Sequence, residues 1–200
     1  DWSSDVCSSD LEDFLKPCIS SIRQNTNLAE IEVIIVANGC VDDTRKYVES
    51  LGSPFKLVWI DEQSGHTKAV NAGIKIANGE FIVLLNNDTQ ILAPNWLNIL
   101  NQPFVNPKTG ATGPLKSYRQ DIRAEYLLFF CVMLRKNIFK EIGLLDESFG
   151  LGYNDDADFC LRIQNAGYEL IEVPNNISYN FGYRGDVGRN YGFQIGRAHV

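Results

Sequence analysis

Residues 79–89 read GEFIVLLNNDT, an uncharged apolar run closed by Asn86-Asn87-Asp88. Five apolar residues without alternation describe a strand covered on both faces, as between two helical layers, rather than one with a wet side. Just upstream, 67–77 has helical spacing and stops at Gly79. Further back, 31–37 (IEVIIVA) is a second buried run, rich in β-branched side chains and broken by Asn38-Gly39. Between the two, Asp42 or Asp43 can cap a helix running to Ser50, with Gly52 beyond it, and 55–60 reads as another strand. Residues 13–24 place Phe14, Leu15, Cys18, Ile19 and Ile22 at helical spacing.

Downstream, 94–100 fits a short helix with Pro94 in its first turn. Residues 125–135 read as one long strand and 136–142 as a helix. A Gly- and aromatic-rich loop follows over 144–154, then a helix over 155–166 ended by Gly167, and a strand over 168–173 stopped by Pro174. Strands alternating with helices of ten or so residues predict the α/β class: one domain with a mostly parallel central sheet flanked by helices.

Composition narrows the function classes. The chain has 200 residues, enough for a full core, and carries 18 Lys+Arg against 25 Asp+Glu for a net charge of −7. An acidic chain is a poor match for a nucleic-acid backbone, so no nucleic-acid partner is expected. The longest uncharged apolar run, 127–134, falls well short of the roughly 20 residues that span a bilayer. Five cysteines without a CxxC pair suggest reduced thiols in a cytoplasmic protein rather than a disulfide or zinc framework. With His66 and His199 as the only histidines and no GxSxG turn, a hydrolase triad is not expected. Without a GxGxxG loop, neither is a dinucleotide-binding fold.

The two ends stand apart. Residues 1–11 (DWSSDVCSSDL) and 195–200 (IGRAHV) resemble translated sequencing-adapter read-through of the kind found in metagenome-derived gene models. They lack the basic and apolar regions of a secretory signal. The expectation is therefore a single, incomplete domain over 12–194, with the natural chain extending beyond it at both ends.

Three polar clusters sit where strands end, which is where open α/β sheets bind ligands. Asn38 with Asp42 follows the first buried run, and Asn86-Asn87-Asp88 follows FIVLL. A carboxylate leaving a strand suits a hard divalent cation, although the same tripeptide can simply make a turn. Asp155, Asp156 and Asp158 open the late helix. They can complement its dipole, and Asp158 can pair with Arg162 four residues on. Two adjacent carboxylates also raise one another's proton affinity toward the range of a general base. Both readings stay open on spacing alone.

Taken in order, these segments resemble the family 2 glycosyltransferases, inverting enzymes with the GT-A nucleotide-diphospho-sugar transferase fold. VANGCVDDT (36–44) looks like the family's VDNGSTDGT segment. SGHTKAVNAGIKIANGEFIVLLNNDTQIL (64–92) is similar to its G-x-x-x-A-x-N-x-G stretch and the strand ending in a D-x-D-type motif. IFKEIGLLDESFGLGYNDDADFCLRIQNAGYELIEVP (138–174) is close to the block containing the ED-x-D pair. The likeness implies transfer of a sugar from a nucleotide-diphosphate donor to a hydroxyl of a glycan or lipid-linked acceptor, aided by Mg2+ or Mn2+. It implies Asp156 as base beside Asp155; Asp88, Asn86 and Asn180 at the metal; and Asn38, Asp42, Lys68, Asn71 and Asn87 near the donor. It also suggests bacterial cell-surface polysaccharide synthesis, with peripheral association at the inner membrane face where acceptors are lipid-linked, though no amphipathic basic helix supports that association.

Three departures stand against the family pattern. Ala37 occupies the place of an Asp that helps hold the nucleoside. Tyr179-Asn180 stands where many members have a His. The family's first strand is missing, adapter-like residues occupying its place. These departures leave a catalytically impaired or purely binding GT-A-fold protein as the alternative. A sugar nucleotidyltransferase ranks lower, since no Gly-rich basic triphosphate loop is visible.

Overall fold

The computed structural model describes residues 11–121, 123–150, 154–174 and 177–179. A π-helical turn at Leu11–Leu15 leads into α1 (Lys16–Asn25), whose Cys18, Ile19 and Ile22 are buried. Leu11, within the segment set aside above as adapter-like, packs into the apolar core with them. Then come β1 (Val33–Asn38), α2 (Thr44–Leu51), β2 (Phe55–Ile60), α3 (His66–Ile76), β3 (Phe81–Leu85) and β4 (Thr89–Ile91). The second half contains α4 (Trp96–Asn101), β5 (Thr109–Gly113), β6 (Lys116–Arg119), β7 (Ala124–Leu127), β8 (Cys131–Arg135) and α5 (Ile138–Glu141). It closes with α6 (Asp155–Asn165), β9 (Glu169–Glu172) and β10 (Ile177–Tyr179).

Both apolar runs form the expected strands. Every residue of β3 is buried, as is β1 from Val33 to Ala37. Their alternate side chains enter two separate cores: Ile35, Val83 and Leu85 join the α1 side, while Ile34, Val36, Ile82 and Leu84 join the α3 side. Burying each such side chain contributes about 1.5–3 kcal/mol, so a charge anywhere in either run would be costly. This is the packing of a sheet between two helical layers.

β1 and β2 pair in parallel, Val33 opposite Phe55 through Asn38 opposite Ile60. A four-stranded sheet has the order β3-β8-β5-β9, with β8 antiparallel to both neighbours and β5 parallel to β9. The position expected for a first strand falls on residues 1–10, outside the described residues.

The segment read as one strand over 125–135 is two. β7 pairs with β6 in a hairpin, whereas β8 crosses to β3 and β5. Between them, Phe129 and Phe130 enter opposite cores. The Phe130 carbonyl accepts the Asn86 N–H at 2.8 Å, so the chain leaves one ladder to join another. Hydrophobicity alone cannot reveal that exchange, because the apolar run 127–134 continues without interruption across the break.

Register fixes which strand ends meet. Leu85 lies opposite Cys131, and Val173 N–H donates to Gly113 O at 2.9 Å. The ends of β3, β5 and β9 therefore lie together at the start of β8. Because α6 precedes β9 and returns along it, the first turn of α6 lies at that same end.

Candidate active site

At the end of β3, the turn is made by main chain: Thr89 N–H donates to Asn86 O at 3.2 Å, and Thr89 Oγ1 donates to Phe130 O at 3.3 Å. The side chains of Asn86 and Asp88 make none of these bonds. Asn86 and Asn87 are buried, and among the described residues Asn86 Oδ1 and Asp88 Oδ1 are buried without a hydrogen-bond partner. Burial raises the Asp88 carboxyl above its ordinary value, with its own backbone N–H opposing the rise. A desolvated carboxylate beside an unused amide oxygen suits a hard cation with oxygen ligands. Among the described residues no three His, Cys, Asp or Glu side chains cluster, so an ion here would draw its other ligands from water or substrate oxygens. Cys18 Sγ lies 3.8 Å from Asn86 O, but burial pushes its thiol far up and keeps it protonated. Asn180 lies outside the described residues; β10, which ends just before it, pairs Tyr179 with Thr89.

Helix α6 carries the second centre. Asp155, Phe159 and Ile163 recur at four-residue spacing and form its buried stripe. Phe159 is fully buried, stacking on Phe139 (5.5 Å between centroids) and meeting Phe129 edge-on (6.1 Å). That anchor holds the first turn in place, and Asp155 is drawn inward as the leading member of the stripe. Asp156 Oδ1 accepts the Ala157 N–H at 2.7 Å. Burial pushes the Asp156 carboxyl up to about 6, and the Asp155 charge adds to the rise. The Ala157 N–H and the Arg119 guanidinium pull it back. Asp158 turns away from this pair and bonds to Arg162 Nε at 2.9 Å, while Arg162 Nη1 donates to Ile142 O and Leu144 O, both at 3.0 Å.

Two contributors were not expected from sequence. Arg119, at the end of β6, is held by Asp121 (2.9 and 2.6 Å) and donates to Asn154 Oδ1, the residue that enters α6 in a left-handed conformation. His66 Nε2 lies 3.6 Å from Asp155 Oδ2. Neither pairing has a local sequence signal, since each joins segments at least 35 residues apart.

The residues expected near the donor divide by how their polar groups are used. Asn38 Nδ2 donates to Gly65 O at 3.2 Å, and its Oδ1 accepts Ser64 N–H and Oγ–H at 2.9 and 3.0 Å. It shapes the loop before α3. Asn71 lies on the buried stripe of α3, donating to Leu145 O (2.9 Å) and Glu147 Oε1 (3.1 Å) and accepting Leu145 N–H (3.1 Å). Both amides are spent inside the protein, so their bearing on a donor is through the loops they hold. Asp42 Oδ1 accepts Thr44 N–H at 3.1 Å, while its Oδ2 is buried with no partner among the described residues. Lys68 is exposed. Ala37 is fully buried in the α1-side core, which leaves no polar group at that position.

Asn71→Leu should cost about 2–4 kcal/mol in urea unfolding, because it strands the Leu145 amide and carbonyl in the interior. A loss under about 1 kcal/mol would show that this clamp carries little of the fold.

The acid pair and the Asp88 turn share one end of the sheet. Residues 127–130 join them: Leu127 N–H meets Cys160 Sγ at 3.3 Å, one turn past Asp156, and Phe130 O holds Asn86 and Thr89. Such an end gathers a buried carboxylate with an unused oxygen and a carboxyl of raised proton affinity, groups of the kind needed to expel an anionic leaving group while deprotonating a nucleophile.

A family model described as "Glycosyl transferase family 2" matches residues 6–184. Protein y4gI of Sinorhizobium fredii is 25% identical over 80% of this chain, which covers 22% of that protein. The O-antigen biosynthesis protein RfbC of Myxococcus xanthus is 31% identical over 81% of this chain and 16% of its own length. The chain thus spans about a fifth of the length of these relatives. Among solved structures, the mannosyltransferase PcManGT from Pyrobaculum calidifontis, in complex with GDP-Man and Mn2+, has the same fold. It superposes with a TM-score of 0.68 at 20% identity, over 81% of this chain and 51% of that one.

Proposed function

The chain belongs to glycosyl transferase family 2 and has the GT-A fold, and on that premise we propose that it transfers a sugar, with inversion, from a nucleotide-diphosphate donor to a saccharide hydroxyl. The observation that carries this reading is the placement, at one sheet end, of the buried Asp88 carboxylate, whose Oδ1 has no partner among the described residues, and of the raised Asp156 carboxyl. Similarity to RfbC, an O-antigen biosynthesis protein, favours a cell-surface glycan or lipid-linked acceptor. Among the described residues no helix is long and apolar enough to cross a membrane.

Asp88 and Asn86 would hold Mg2+ or Mn2+, whose charge would stabilise the departing diphosphate. Asp156 accepts the acceptor hydroxyl proton as that oxygen bonds to the anomeric carbon. The bond from that carbon to the diphosphate oxygen breaks, and its electron pair leaves with the nucleotide. Attack from the face opposite the leaving group inverts the centre. A carboxyl near 6 is a stronger base than an ordinary Asp near 3.9 yet still ionised at neutral pH. Arg119 and the Ala157 N–H hold it in the ionised form.

Protonating the base removes it, so kcat should fall tenfold per pH unit below about 6 and level off above it. A rate flat down to about pH 5 would remove Asp156 from this role. The broader test is a panel of UDP-, GDP- and dTDP-sugars with Mn2+, read by thermal shift and by nucleotide release. At least one donor should stabilise the protein only with the metal, and no response to any donor would sink the reading. Fully buried Ala37 favours a second reading, a binding protein without turnover, which would show stabilisation without nucleotide release.

A further inference from the structure

We propose that His66 is a positioning residue for the acid pair, its imidazole seated against Asp155 so that α3 sets the orientation of Asp156 on α6. This deepens the sugar-transfer reading and rests on it for its kinetic consequences.

The contact begins in the main chain. His66 is the first residue of α3, so its N–H has no helical partner, and it donates to Gly150 O at 3.0 Å. Gly65 just before it has φ +92°, and a Cβ there would come within 2.3 Å of Gly150 O. Only glycine permits that approach. Asn38 then grips Gly65 O from the end of β1. The start of α3 is thereby tied to the loop that enters α6.

The imidazole exploits this seam. Its Nε2 stands 3.6 Å from Asp155 Oδ2, with the two side chains only 11% and 8% exposed. Asp155 is the first residue of α6 and faces inward, whereas Asp156 is the next residue around the turn. A buried carboxylate needs a partner, and the partner that holds Asp155 also fixes the rotation of the first turn. Burial lowers the proton affinity of His66, while Asp155 raises it, so the ring is neutral at neutral pH and faces Asp155 as a polar neighbour rather than a charged one. Charged groups on the surrounding elements are Asp156, next to Asp155 on α6; Asp158, paired with Arg162; Arg119 on β6, which acts on Asp156 and is paired with Asp121; Lys116 on β6, which acts on Cys160; and Glu147, bonded to Asn71. Cys160, one turn on, is pushed up to about 12 and stays neutral.

The test has an arm independent of sugar transfer. With two histidines in the chain, imidazole NMR gives two titrations, and His66→Gln identifies one by deleting it. The His66 midpoint should lie below 6.5 and fall further in Asp155→Asn, because the charge that raises it is gone. An unchanged midpoint would overturn the contact. In kinetics, His66→Gln keeps an N–H donor and should hold kcat within about threefold, with the acidic limb of the pH profile unmoved. His66→Phe fills the space without a polar edge; it should cut kcat about tenfold at unchanged donor KM and move the limb to higher pH, because Asp155 loses the polar neighbour that attenuates its charge at Asp156. Phe and Gln variants with the same limb and kcat would overturn the positioning role. The NMR comparison uses wild type, His66→Gln for assignment and Asp155→Asn, so it decides even if the Phe variant does not fold. Wild-type protein that transfers no sugar would count against the sugar-transfer reading and leave the imidazole titration to decide the pair.

Discussion

Asp156→Asn should lower sugar transfer by about 10²–10⁴-fold while leaving donor binding within a few-fold of wild type. The substitution keeps a carbonyl oxygen for the Ala157 N–H, so the first turn of α6 should retain its geometry. It removes only the capacity to take a proton. The burial that pushes this carboxyl up to about 6 is maintained by elements that the change does not touch, chiefly the aromatic anchor at Phe159. Donor-induced thermal shift with Mn2+ reports binding, and nucleotide release with acceptor reports chemistry. Turnover within about threefold of wild type would assign proton abstraction elsewhere, with Asp155 the next carboxyl to test. Loss of donor binding together with turnover would instead make Asp156 part of the donor site.

Much of this site is legible in the sequence, and the reason is local. FIVLL and VIIVA are unbroken apolar runs, so their burial, and the turn into polar residues at their ends, depend on a few consecutive positions. Asp88 and Asp156 can be singled out because each comes directly after a strong strand or opens a strong helix. The residues that stay hidden depend on distant partners. Asn71 looks like any polar residue on a helix until Leu145 and Glu147 arrive from the loop before α6 to use all of its amide. Asn38 likewise turns inward because Ser64 and Gly65 meet it. The break between β7 and β8 occurs where Phe129 and Phe130 choose opposite cores, a choice set by the sheets they join. His66 has no role visible in the sequence because Asp155 is remote along the chain and is brought in by a glycine-only contact.

The Asp88 carboxylate is a liability to the empty fold and an asset to the loaded one, which gives Asp88→Asn two opposed effects. Burial raises this carboxyl above its ordinary value, so in the folded state the charged form costs stability at neutral pH. That cost disappears as pH falls through the folded pKa, when the group takes up a proton. A neutral amide of nearly the same shape removes the cost at every pH. Without metal, the variant should therefore melt a few degrees above wild type at about pH 7, and the gap should narrow as the pH is lowered. With Mn2+ and donor the order should reverse, because the amide contributes no charge to the cation; metal-dependent stabilisation should vanish and kcat/KM fall about 10²–10³-fold. The two signs exclude simple misfolding, which would lower both melting temperatures. A variant that gains stability yet responds to Mn2+ at the same concentration as wild type would place the cation away from the end of β3.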